Sequence, residues 1–222
     1  MLTALAEDPR NAASLEPSAR HWVEREPDSP EAWFALGLAL DRRAEREQVP
    51  ALTRKAAEAY ERSLALRKAP RVWNNLGASL DAQNRFPEAE HAYQEALRLD
   101  PAYGLAWLNL GATRINAGNY QEAAVALRRG LALNPADAQG WVRLGDCLRY
   151  LRDWSGEAEA LGVALRYRPL AWDLWLDRGV ALARSGQREA AWTILQHLRD
   201  EGQTALAIRL QAALGTPHSR RR

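Results

Sequence analysis

The chain has 222 residues, 47% of them hydrophobic, with 30 basic and 28 acidic side chains and a net charge of +2. That is enough apolar material for a continuous core, and it excludes a protein built to seek polyanions, since the one local excess of positive charge is the last four residues, Ser219 to Arg222. A single cysteine, Cys147, excludes an intrachain disulfide, and no apolar run approaches the ~20 residues of a membrane span.

At the N-terminus, Met1 to Arg10 carries Glu7, Asp8 and Pro9 where a secretory signal needs a basic start and an apolar stretch, so a cytoplasmic protein is expected. Leu15 to Glu26 has helical spacing and ends at Pro27; its Leu15 and Trp22 are larger than the residues at the matching positions further on. Residues 1–29 therefore read as N-terminal capping helices, a modified terminal unit.

From Pro30 the sequence repeats itself. Trp73, Trp107, Trp141 and Trp175 follow one another at intervals of 34 residues; Pro101, Pro135 and Pro169 come 28 residues after the first three, and Gly77, Gly111, Gly145 and Gly179 four residues after each. With Trp as position 4 of a copy, position 7 holds Leu76, Leu110, Leu144 and Arg178, and position 17 holds Phe86, Tyr120, Trp154 and Arg188. Position 20 holds Ala89, Ala123, Glu157 and Ala191, position 24 holds Tyr93, Leu127, Leu161 and Leu195, and position 27 holds Ala96, Gly130, Ala164 and Leu198. An earlier copy has Trp33, Leu36, Gly37 and Leu40, then Ala56, Tyr60 and Ser63. It is 40 residues long, with seven extra residues around Asp41 to Pro50, so either its helices or its loop must be longer.

At 100° per residue, positions 4, 7, 8 and 11 share a narrow sector, which makes them the buried stripe of a first helix, A. Small residues at 8, 20 and 27 let a second helix, B, approach it closely. Five pairs are expected, at 30–69, 70–103, 104–137, 138–171 and 172–203, with Trp33, Trp73, Trp107, Trp141 and Trp175 buried. Residues 204–216 read as a C-terminal capping helix with Leu206, Leu210, Ala213 and Leu214 inward, and 217–222 as a basic tail.

The pattern resembles the tetratricopeptide repeat (TPR) family, whose copies read W-x2-L-G-x2-Y, A-x3-F and P at a 34-residue period. The resemblance covers about residues 30 to 203 and implies an all-α, right-handed superhelical solenoid of antiparallel helix pairs whose A helices line a concave face. Three residues depart from it: Arg114 at position 11, Glu157 at 20 and Arg178 at 7. Arg114 is expected to bury its stem and keep its head wet, and Glu157 to give way to Ala158.

Positions 2, 5, 6, 9, 12 and 13 of each A helix face away from the core. The candidate peptide-binding groove is therefore Arg71, Asn74 and Asn75 of the second copy, Leu105, Leu108, Asn109, Ile115 and Asn116 of the third, and Arg143, Asp146, Arg149 and Tyr150 of the fourth. Amides both donate and accept, so Asn75 and Asn109 suit a peptide backbone of any sequence; the pair is similar to the asparagine ladder of the O-GlcNAc transferase TPR superhelix. The carboxylate clamp of other TPR proteins, with Lys at 5 and Asn at 9, is absent, since those positions hold Phe34 and Leu38, then Asn74 and Ala78. An apolar floor between arginines fits a protein segment with an acidic group.

Catalytic chemistry finds no motif. His21, His91, His197 and His218 are scattered without ligand spacing, no glycine-rich phosphate loop occurs, and Cys147 reads as a small packed residue, so no metal, no cofactor and no enzyme activity are expected. Trp22, Trp172 and Trp192 lie off the repeat signature and read as capping contacts, with self-association through Trp22 or Trp192 if either is exposed. All basic residues except Lys55 and Lys68 are arginine, a bias of GC-rich bacterial coding. The expected function is a non-catalytic interaction scaffold. The alternative is a regulatory or substrate-recruiting part of a larger glycosyl- or sulfotransferase-like enzyme. RNA recognition is disfavoured by the mixed charge of the groove.

Overall fold

The computed structural model describes residues 12–215; the N-terminal stretch Met1 to Arg10 and the tail Pro217 to Arg222 lie outside them. The described residues form an all-α solenoid of repeats with no strand: α1 (Ala12–Arg25), α2 (Pro30–Glu47), α3 (Pro50–Leu66), α4 (Pro70–Asp81), α5 (Phe86–Leu99), α6 (Gly104–Asn116), α7 (Tyr120–Leu133), α8 (Ala138–Tyr150), α9 (Trp154–Tyr167), α10 (Trp172–Arg184), α11 (Arg188–Asp200) and α12 (Thr204–Leu214). None of these helices is long and apolar enough to cross a membrane. Two units divide the chain, Met1–Ala117 with α1 to α6 and Gly118–Arg222 with α7 to α12.

In the first unit each helix packs on the next, from α1 to α6. Prolines open α2, α3 and α4, where a missing N–H costs nothing, and the Ser29 side chain caps α2 by accepting from the Ala32 N–H at 3.3 Å. The extra residues of the first copy went into its helices: α2 has 18 residues and α3 has 17, joined by Gln48 and Val49 alone. Position 8 must be glycine here for a steric reason. A Cβ on Gly37 would lie 2.4 Å from the Tyr60 ring, and one on Gly77 would lie 2.7 Å from Tyr93.

The signature tryptophans are only partly buried, and four of the five turn the indole N–H to the preceding link. Trp33, Trp107, Trp141 and Trp175 donate Nε1–H to the carbonyls of Pro27, Pro101, Pro135 and Pro169 at 2.8–2.9 Å. This bond explains why Trp and Pro recur together, six residues apart. Trp73 has Arg67 in place of that proline, and its buried Nε1 lacks an acceptor.

In the second unit α7 packs on α8, α8 on α9, α9 on α10 and α10 on α11, while α12 covers α10 and α11. The inward stripe of α12 is Ala207, Leu210 and Leu214; Ala213, expected inward, is exposed, because the stripe is centred closer to Ala207. Leu210 lies where a Cβ on Gly179 would be, 2.6 Å away. Trp172, Trp175 and Trp192 are half-buried against the core formed by Leu176, Ile194, Leu195 and Leu198. Trp22 is likewise half-buried and donates to Glu26 at 2.9 Å. Cys147 is fully buried, and that burial pushes its thiol up to about 11.

Each of the three departures from the repeat pattern is accommodated by a neighbouring residue. Arg114 donates to Glu90 of α5 at 2.9 Å. Glu157 does not give way to Ala158: it stays at its position, 2% exposed, and pairs with Arg149 at 2.6 Å. The Arg178 guanidinium occupies space that Gly162 leaves open, 3.1 Å from where a Cβ would stand, and lies 6.0 Å from the Trp175 ring centre.

Candidate functional site

The open face of an A helix is narrower than the sequence implied. Positions 2, 6, 9 and 13 are wholly or partly exposed, while position 5 sits on the flank of the helix: Asn74 is 2% and Leu108 3% exposed, so neither lines the face as expected.

In the first unit the face is built by α2, α4 and α6. Asn109 Nδ2 donates to Asn74 Oδ1 at 3.0 Å, and Asn74 Nδ2 donates to Asn75 Oδ1 at 3.5 Å, so three amides of α4 and α6 form one hydrogen-bonded row. Asn75 and Asn109 remain partly exposed. Beside them Arg71 lies with its guanidinium 5.1 Å above the Phe34 ring, and Phe34 packs against Tyr60 with centroids 5.9 Å apart. Arg71 makes no ion pair among the described residues. Leu105 is 50% exposed, Ile115 half-buried and Asn116 exposed.

A polar cluster that the sequence reading missed joins α2, α3 and α4. Asp41 accepts from Tyr60 Oη at 2.9 Å and from Ser79 Oγ at 2.8 Å. Burial pushes its carboxyl up to about 6, although both hydrogen bonds pull the other way. The next copy repeats the arrangement in part: Tyr93 hydrogen-bonds Thr113, and Asp81 stands at the position of Asp41. The signal was present in the sequence as Asp at position 12, Tyr at 24 and a hydroxyl at position 10 of the following copy, in two successive copies.

In the second unit Arg149, expected to receive an acidic group, already has its charge matched. It donates to Glu157 at 2.6 Å and to Asp177 at 2.8 Å, with Asp146 at 4.0 Å. Burial opposes its charge, but Asp177 and Glu157 outweigh burial and raise its pKa. Burial pushes Glu157 and Asp146 upward. Arg143 is half-buried and makes no ion pair among the described residues. Tyr150, 65% exposed, stacks flat on Tyr120 at 4.1 Å. No cluster of three metal-ligating side chains occurs among the described residues.

The helix pairs carry Trp, Leu and Gly on A, small residues on B, and an indole tied to the link proline. Family models described as tetratricopeptide repeat match residues 70–103 and 104–147. The chain carries tetratricopeptide repeats over residues 70–147. Solved structures share its fold at low identity. YrrB, described as a TPR protein with an unusual peptide-binding site, has a TM-score of 0.69 at 19% identity, covering 86% of this chain and 96% of that one. PilF of Pseudomonas aeruginosa has a TM-score of 0.67 at 24% identity, covering 90% and 88%. PilW, described as a type IV pilus biogenesis factor, has a TM-score of 0.67 at 19% identity, covering 92% and 90%. Among curated proteins no relative is found.

Proposed function

We propose that this TPR protein is a non-catalytic interaction scaffold that holds a peptide segment of a partner protein on the A-helix face of its first unit. The observation that carries the reading is the row Asn109, Asn74 and Asn75, whose outer amides keep unspent donors and acceptors beside an exposed Leu105 and a cation over the Phe34 ring. Amides hold backbone, Leu105 and Ile115 take apolar side chains, and Arg71 takes an acidic group. The fold shared with YrrB, itself described as having a peptide-binding site, supports this choice over other interaction modes. In the second unit, Arg143, which makes no ion pair among the described residues, is open to a ligand.

The test is a selection of displayed peptides on the full chain, followed by affinity measurement against Asn75→Ala with Asn109→Ala, against Arg71→Ala and, separately, against Arg143→Ala. Loss of a charge-assisted contact costs ~1.5 to 3 kcal/mol, roughly tenfold to a hundredfold in affinity. A weakening of that size in the first two variants, with unchanged helicity, supports the reading. It is sunk if no peptide is enriched, or if both variants bind selected peptides like the parent chain.

A further inference from the structure

Asn74 is buried, yet it stands between two amides that are not. Its Oδ1 accepts from Asn109 at 3.0 Å, and its Nδ2 donates to Asn75 at 3.5 Å. A side-chain amide has one acceptor atom and one donor atom. A central amide that accepts on one side and donates on the other therefore sets the orientation of both neighbours. Asn75 gives its oxygen inward and keeps its NH2 for the outside; Asn109 gives an N–H inward and keeps its oxygen. No side chain among the described residues takes either of these outward groups.

Two freely rotating surface amides would each accept either partner and would distinguish little. With Asn74 between them the pair is polarised, with a donor outward on α4 and an acceptor outward on α6. We propose that Asn74 is a positioning residue that polarises Asn75 and Asn109, so that this face recognises a peptide unit offering its C=O to Asn75 and its N–H to Asn109. The proposal rests on the reading of the face as a peptide site and adds which ligand atom meets which amide. It also sets a specificity: a ligand residue without an N–H at Asn109, such as proline, is rejected there, because the inward-facing bond prevents Asn109 from turning to compensate.

The experiment follows the side-chain amide resonances of Asn75 and Asn109 by NMR in the full chain. One probe is N-acetylglycine dimethylamide, which has a single N–H; the other is its ester analogue, in which oxygen replaces that N–H. The amide probe is expected to shift both resonances, and the ester to shift Asn75 alone. Asn74→Leu removes the central amide at similar volume, and Asn74→Asp keeps its shape but accepts from both sides, turning the Asn75 oxygen outward. Discrimination between the probes is expected to vanish at Asn109 in the first variant and the response at Asn75 to fall in the second. A selected peptide is expected to bind Asn74→Leu roughly tenfold more weakly. Equal responses to both probes, no response to either, or unchanged discrimination in Asn74→Leu overturns the proposal. Longer peptides can bind through Arg71 and Leu105 without the amide row. A chain that binds selected peptides but fails this test therefore sinks the polarised pair alone, and a chain that passes it while no peptide is enriched sinks the peptide reading alone.

Discussion

The indole N–H of a signature tryptophan closes the link between two repeats, and Trp73 shows what happens when that link changes. Where Trp107 meets the Pro101 carbonyl, Trp73 meets none, because the link before it is one residue shorter and has no proline. A hydrogen bond of this kind is worth about 1 kcal/mol net. Trp107→Phe is therefore expected to cost about 1 kcal/mol more than Trp73→Phe in chemical denaturation, after allowance for similar loss of buried area. Equal costs would show that the indole contributes by area alone.

Asp41 gives a pH dependence with a definite sign. Its carboxyl is raised to about 6 in the fold from an ordinary value of 3.8, so the native state holds the proton more tightly than the unfolded chain. Its contribution to stability is complete below about pH 4 and is lost as pH rises through about 6. The expected result is a fall in denaturation midpoint across that window that disappears in Asp41→Asn, which keeps one acceptor and never ionises. A window that survives the substitution assigns the effect to other groups.

At the scale of helices, the turns from A to B share one backbone requirement. Asn84, Gly118, Arg152 and Gly186 all stand at position 15, and all have positive φ, at 58°, 79°, 61° and 84°. Glycine adopts this conformation without steric cost, asparagine tolerates it, and arginine does not favour it. Arg152 is exposed. Arg152→Gly is expected to stabilise the second unit by roughly 0.5 to 1 kcal/mol, read as a higher melting temperature. A lower melting temperature would mean that the arginine side chain makes a contact worth more than the strain.

For the chain as a whole, each repeat leaves an apolar edge that its neighbour must cover, so stability depends on the ends. In the second unit that cover is α12, with Ala207, Leu210 and Leu214 on α10 and α11 and Arg188 donating to the Leu214 carbonyl. Burying two leucines contributes about 3 to 6 kcal/mol, comparable with the whole stability of a small domain. Ending the chain after Gln203 is expected to lower the melting temperature and to produce binding of a hydrophobic dye. A truncated chain that melts like the parent and binds no dye would show that α11 suffices as an end.

The repeat period, the glycine at position 8 and the small residues at 20 and 27 were legible in the sequence because each is a local requirement repeated in successive copies. A residue that must let two helices approach has few alternatives, and repetition exposes it. Asn75 and Asn109 could be placed on the A-helix face by angle alone. What angle could not decide was the environment of residues between two neighbouring A helices. Asn74 and Leu108 differ from Asn75 and Asn109 by one position, and whether that 100° step leads to solvent or to a flank depends on where the next helix lies. The charges were decided in the same way. Arg149 and Arg71 look equally available in the sequence, yet packing sets Glu157 and Asp177 against the first and the Phe34 ring against the second. Sequence thus determined which residues repeat, since helix periodicity and close packing act locally. Tertiary structure alone decided which of the outward side chains keep unspent charge and hydrogen-bonding capacity, because the deciding partners lie on neighbouring helices, 8 and 28 residues from Arg149 and 35 from Asn109.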